Sequence, residues 1–207
     1  MVLQNFIVFE GIDGAGTTTQ QKLLAKKLEN KKVWFTAEPT TGETGVFLRR
    51  VLKGDITLHP QTVARLFAAD RSEHVYGKNG ILELCKKNYL VVSDRYFFSS
   101  LAYQTPECGK ELPLKLNEDF PLPEYVFYFV ISPSQSLKRI TGRGVTEIYE
   151  KQEILEKTAA LYAEIFKEYE DIANSDPNKD QMKIITIDAT LPPEEIEKII
   201  WSTISKM

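Results

Sequence analysis

An apolar run, Phe6–Phe9, leads into Glu10-Gly11-Ile12-Asp13-Gly14-Ala15-Gly16-Thr17-Thr18-Thr19. A stretch at helical spacing, Thr18 to Glu29 with Leu23, Leu24 and Leu28, follows it. Strand, glycine loop and helix in this order let successive backbone N–H groups point inward around a phosphate. The helix N-terminus adds partial positive charge. The spacing G-x-x-x-x-G-K-[ST] is met at Gly11, Gly16 and Thr18, where a hydroxyl can hold Mg²⁺. It fails at Thr17, which is too short and neutral to act as the mobile cation that lysine supplies to the β- and γ-phosphates.

Further reactive types stand after other apolar runs. Glu38-Pro39-Thr40-Thr41-Gly42 reads alone as a solvated turn begun by Pro39. Phe67 and Arg71 are four apart in Leu66-Phe67-Ala68-Ala69-Asp70-Arg71 and share a helix face. A ring beside a guanidinium suits a nucleobase; the plainer alternative is a core phenylalanine and an arginine paired with a surface acid. Asp94-Arg95-Tyr96 closes the run Leu90–Ser93, with Ser99-Ser100-Leu101-Ala102-Tyr103-Gln104 beyond it. At a strand end Asp94 can serve Mg²⁺ and Arg95 can grip a phosphate. Lys138-Arg139-Ile140-Thr141-Gly142-Arg143-Gly144 puts Arg143 between glycines, either as a mobile arginine over a nucleotide or as a basic, glycine-capped helix end.

The elements that must position these residues alternate. Strands are expected at Phe6–Phe9, Lys32–Phe35, Leu90–Ser93, Tyr125–Ile131 and Lys183–Ile187, each short and nearly continuous in apolar character. Helices are expected at Gln61–Tyr76, Pro133–Ile140, Tyr149–Ala173 and from Leu191-Pro192-Pro193 through Ile204. Thr105–Asn117 and Thr141–Thr146 read as loops. The pattern predicts a three-layer α/β fold, a five-stranded parallel sheet flanked by helices, in which ligands lie beyond the strand C-termini.

The 207 residues are expected to form a single domain, with a short mobile lid at about 139–149. A net charge of −3 argues against a nucleic-acid surface or a polybasic membrane patch. Cys85 and Cys108 stand apart, and with only His59 and His74 beside them no zinc spacing exists. The N-terminus has no leader pattern, and no run approaches the roughly 20 apolar residues of a membrane span. A cytoplasmic protein is the expectation.

Together these segments resemble the thymidylate kinase family nearly end to end. Phe9 to Gly16 looks like its phosphate loop, Glu38-Pro39 its acidic turn, and Leu66–Arg71 its base-binding helix. Asp94-Arg95-Tyr96 through Ser99–Gln104 is the most specific match. The resemblance implies a P-loop fold, ATP and dTMP as substrates, Mg²⁺ as cofactor, and a homodimer. It implies ATP contacts along Gly11, Ile12, Asp13, Gly14, Ala15, Gly16, Thr17, Thr18 and Thr19. Phe67 would stack on thymine and Arg71 with Ser100 would read its polar edge. Tyr103 would lie against the deoxyribose, and Asp13 with Arg95 would handle the acceptor phosphate, near Glu38, Ser99 and Gln104. Arg139 and Arg143 would cover ATP, with Glu147 and Glu150 following. The departures are Thr17 for lysine, Thr40-Thr41 for a glycine-rich continuation, and a loop with no basic residue from Ile12 to Ala15. That assigns the missing cation to Arg143. A nucleotide-binding protein with little or no kinase activity, and a deoxynucleoside kinase, are the alternatives.

Overall fold

A computed structural model describes residues 1–29, 31–141, 148–149, 151–175 and 182–205. Gly142, Arg143, Gly144, Glu147 and Glu150, and with them most of the expected lid, lie outside the described residues.

Five strands form one parallel sheet: β1 (Val2–Gly11), β2 (Val33–Ala37), β3 (Leu90–Asp94), β4 (Leu122–Val130) and β5 (Lys183–Asp188), in the order β2-β3-β1-β4-β5. Phe6 to Phe9, Val91, Val92, Val126 and Phe127 have no exposed surface, which explains the unbroken apolar runs of the middle strands. The chain order reverses at β1, which pairs with β3 on one side and β4 on the other. A crevice opens beyond β1 at such a switch point. Register sets what faces it: Phe9 lies opposite Asp94, so Asp94-Arg95 emerges beside the start of the glycine loop.

The helices are α1 (Thr17–Lys27), α2 (Glu43–Leu52), α3 (Pro60–Tyr76), α4 (Ile81–Lys86), α5 (Phe97–Cys108), α6 (Glu111–Asn117), α7 (Pro133–Ile140), α8 (Gln152–Ser175) and α9 (Pro193–Ile204). Local chemistry explains several starts. Pro60, Pro133 and Pro193 open α3, α7 and α9, where a missing N–H costs nothing. Ser132 caps α7 by accepting from the Gln135 N–H. Among the described residues, no helix is long and apolar enough to cross a membrane.

One expectation fails. Thr105–Asn117 is not a loop: α5 runs through Cys108 with Pro106 inside it, and α6 carries Pro113. The helix survives its proline because Pro106 lies in the last turn, where it removes a single bond. Burial of Phe97, Phe98, Leu101 and Ala102 in the preceding turns holds the rest.

A buried carboxyl ties the layers together. Glu10, at the end of β1, accepts at Oε1 from the backbone N–H groups of Tyr96 (2.8 Å) and Ser99 (3.3 Å). Its Oε2 accepts from the hydroxyls of Ser99 and Tyr162, both at 2.7 Å. Sheet, α5 and α8 therefore meet on one side chain. Burial pushes its pKa up to about 7, against the pull of nearby Arg95 and of these donors. Between the ordinary value of 4.5 and about 7, the folded state holds a proton that the unfolded state has released, so stability falls as pH rises. Chemical denaturation across this range should show the parent losing roughly 3 kcal/mol relative to Glu10→Gln, then levelling off. A flat difference contradicts this.

Candidate active site

One cavity of about 640 Å³ opens beyond the C-terminal ends of β1, β2 and β3, within the usual range for small-molecule sites.

The glycine loop forms one end. Gly16 precedes α1 with φ of 100°, a left-handed conformation that disfavours residues with a Cβ, and no side chain caps the helix. Gly14 also has positive φ, and a Cβ there would lie 2.9 Å from the Ser136 carbonyl oxygen. The first N–H groups of α1 are thus left for an anion. Ile12, Asp13, Gly14, Gly16, Thr17, Thr18 and Thr19 contribute to the wall, whereas Ala15 is buried behind it and Gly11 lies under Phe129.

Thr18 donates its hydroxyl to Asp94 Oδ2 at 2.5 Å. Asp94 Oδ1 is buried with no hydrogen-bond partner among the described residues. A hydroxyl beside a carboxylate with one open oxygen fits Mg²⁺, which is held by one or two protein oxygens together with substrate phosphates. Among the described residues no group of three or more His, Cys, Asp or Glu gathers to hold a metal alone.

Asp13 and Arg95 form the middle of the cavity. Arg95 Nη2 donates to Asp13 Oδ1 at 2.5 Å, and Nη1 donates to the Gly11 carbonyl (3.0 Å) and Ser99 Oγ (3.1 Å). Tyr103 donates its hydroxyl to Asp13 Oδ2 (3.0 Å) and accepts from the Asp13 N–H (3.2 Å). Burial pushes the Tyr103 hydroxyl far above its usual range, so it stays a neutral donor. The Arg95–Asp13 pair is only partly buried, so Arg95 can reach a second anion from its fixed position.

At the far end, Arg71 is 1% exposed and pairs with Glu38, 3% exposed. Nε and Nη2 reach Glu38 Oε2 at 2.8 and 2.6 Å, Nη2 reaches Ser100 Oγ at 3.1 Å, and Nη1 reaches Asn117 Oδ1 at 2.5 Å. Glu38 Oε1 meets His74 Nδ1 at 3.0 Å. These four bonds leave one of the five guanidinium donors, on Nη1, for a ligand. Phe67, one helical turn before Arg71 on α3, lines the same cavity. Gln104 lines it too, and its buried Oε1 has no partner among the described residues.

Three comparisons identify the scaffold. A family model described as thymidylate kinase matches residues 9–200. The chain belongs to the thymidylate kinase family. It is 42% identical over 200 residues to a Treponema pallidum relative provisionally named a thymidylate kinase, covering 96% of this chain and 92% of that one. A thymidylate kinase of Leptospira interrogans is 38% identical over 186 residues, covering 87% and 89%. A solved thymidylate kinase of Candida albicans shares the fold, with a TM-score of 0.76 at 22% identity, over 97% of this chain and 90% of that one.

The sequence-derived site residues line this cavity with four exceptions: Gly11 and Ala15, set behind its wall, and two arginines. Arg139 lies outside the cavity wall, donating to the carbonyls of Gly14 (3.3 Å) and Ala189 (2.9 Å). Arg143 lies outside the described residues. Glu38-Pro39 is not the solvated turn its composition suggests, since the Glu38 carboxylate is buried against Arg71 and His74. Sequence reading missed Arg49, which donates to the carbonyls of Pro39 and Thr40, and Asn117, at the end of a helix read as loop. It missed Asp70 as a fixed point as well: its carboxylate takes the Thr40 N–H (2.7 Å) and the hydroxyls of Thr40 (2.6 Å) and Thr44 (2.8 Å). No local pattern marks such long-range partners.

Removing one partner of a buried ion pair leaves the other charge uncompensated, at a cost of about 3–5 kcal/mol. Glu38→Gln should therefore lower unfolding free energy by about 3 kcal/mol in urea titrations. A loss under 1 kcal/mol is inconsistent with a buried, paired Arg71.

Proposed function

We propose that the protein transfers the γ-phosphoryl of Mg·ATP to the 5′-phosphate of dTMP, giving dTDP and ADP. One observation carries this reading: a phosphate loop and a buried guanidinium–aromatic wall occupy opposite ends of one cavity, with Asp13–Arg95 between them. A donor and an acceptor nucleotide bound end to end meet at that pair.

ATP binds with its phosphates on the glycine loop and the uncapped N-terminus of α1. Thr18 and Asp94 would hold Mg²⁺, which would supply charge neutralisation along the phosphate chain. The acceptor's base stacks on Phe67, with the free Nη1 donor of Arg71 on a base carbonyl and Gln104 Oε1 on a ring N–H. Tyr103 lies against the sugar, where a 2′-hydroxyl is disfavoured. Arg95, held by Asp13 and Ser99, grips the acceptor phosphate so that its oxygen attacks the γ-phosphorus as the β–γ bridging oxygen leaves. The acceptor oxygen is already anionic and needs no general base, so catalysis reduces to positioning and charge neutralisation. Arg139 and Arg143 belong to the lid over ATP, and Arg143 covers part of the charge left by Thr17. A homodimer and a cytoplasmic location are part of this proposal, supported by the family alone.

Thr17 favours a second reading, a protein that binds the nucleotides without turning them over. A coupled ADP-release assay separates the possibilities. The kinase reading expects turnover with dTMP and little with thymidine; preference for thymidine indicates a deoxynucleoside kinase. ATP and dTMP binding without ADP release indicates the binding-only protein. Arg143→Ala should lower kcat at least about tenfold, since removing one charge-assisted contact costs 1.5–3 kcal/mol. A variant with unchanged kcat removes Arg143 from the mechanism.

A further inference from the structure

Four basic residues line the cavity among the described residues: Lys22, Arg49, Arg71 and Arg95. Three are committed to protein groups. Arg95 holds Asp13 and Gly11, Arg71 holds Glu38 and Asn117, and Arg49 is turned onto the carbonyls of Pro39 and Thr40. Lys22 has no hydrogen bond, ion pair or ring contact with any described residue, although its neighbour Gln21 bonds the carbonyls of Thr36 and Val92. An ammonium facing a phosphate-binding cavity with all three donors unused is available to a ligand.

Its position on α1 is specific. Lys22 follows Thr18 by four residues, so the two share a helix face. Thr18 marks that face as the one turned to Asp94 and the cavity. The rise between them is about 6 Å, and helical side chains lean toward the N-terminus, so the four-carbon stem of Lys22 points back along α1 toward the phosphate end. Thr17, where the loop lacks its lysine, is the first residue of the same helix.

We propose that Lys22 supplies, from one turn further along α1, the cation on the ATP phosphate chain that Thr17 cannot. The inference rests on the kinase reading above and deepens it. Lys22 acts from inside the cavity wall, independently of the lid.

The test compares the parent with Lys22→Ala, Lys22→Arg, Thr17→Lys and the Thr17→Lys/Lys22→Ala double variant. Readouts are Mg·ATP affinity by calorimetry, kcat with dTMP, and the thermal midpoint. Lys22→Ala should lose about 10- to 100-fold in ATP affinity or in kcat, the range of one charge-assisted contact, with an unchanged midpoint. Lys22→Arg should keep most of the function. Thr17→Lys should rescue the Lys22→Ala background by a larger factor than it improves the parent, since either lysine then serves the same phosphates. Parent-level affinity and kcat in Lys22→Ala overturn the inference. Equal gains from Thr17→Lys in both backgrounds overturn it as well, because they show two independent contributions. A parent with no dTMP turnover defeats the kinase reading instead; calorimetry then decides alone, with weakened ATP binding in Lys22→Ala supporting the inference and unchanged binding refuting it.

Discussion

Arg95 leaves β3 with φ of 76°, a left-handed backbone that a non-glycine residue adopts only when its surroundings impose it. Its N–H donates to the Phe9 carbonyl of the adjacent strand at 2.9 Å, and its guanidinium is divided among Gly11, Ser99 and Asp13. The buried carboxyl of Glu10 takes up the backbone N–H groups of Tyr96 and Ser99 just beyond. The turn from β3 into α5 is therefore held by residues 9–13, the end of β1 and the start of the phosphate loop. Since α5 then carries Ser100, Tyr103 and Gln104 into the cavity, the Arg71 end depends on the same seam as the glycine loop.

Around that seam, buried charge is used for orientation. Arg71 and Glu38 lose their hydration, and a buried pair of this kind returns little net stability. What the arrangement provides is a guanidinium with four donors fixed and one left over, beside an aromatic ring and an unpaired carboxamide oxygen. Such a surface is preorganised for a flat, polar-edged ligand. At the other end the electrostatics are looser. Thr17 contributes no charge, the loop from Ile12 to Ala15 has no basic residue, and Lys22 is exposed and has no partner among the described residues. The Arg71 end is fixed by hydrogen bonds, and Lys22, the cation proposed for the glycine-loop end, rides on a flexible stem.

Much of this was legible in the residue order. Continuous apolar runs gave away β1, β3 and β4 because strands buried on both faces need them. Glycines and threonines located the phosphate loop through backbone geometry that few other residues permit. Asp94-Arg95 could be placed because strand ends in a parallel sheet converge on one crevice. Elsewhere local signals misled. Pro106 and Pro113 disguised α5 and α6, whose stability comes from packing. Glu38 resembled a surface acid because its partners, Arg71 and His74, lie 33 and 36 residues away. Asn117 was invisible for the same reason, being 46 residues from the arginine it orients.

A crystal structure with dTMP and a non-hydrolysable ATP analogue bound together tests the central claim most directly. The account predicts thymine against Phe67 and Arg71, the acceptor phosphate on Arg95, and the analogue's phosphates on the glycine loop. It also predicts a protein cation beside the β- and γ-phosphates in place of a lysine at 17. A base bound away from Arg71, or a phosphate chain met by no lysine or arginine, contradicts it.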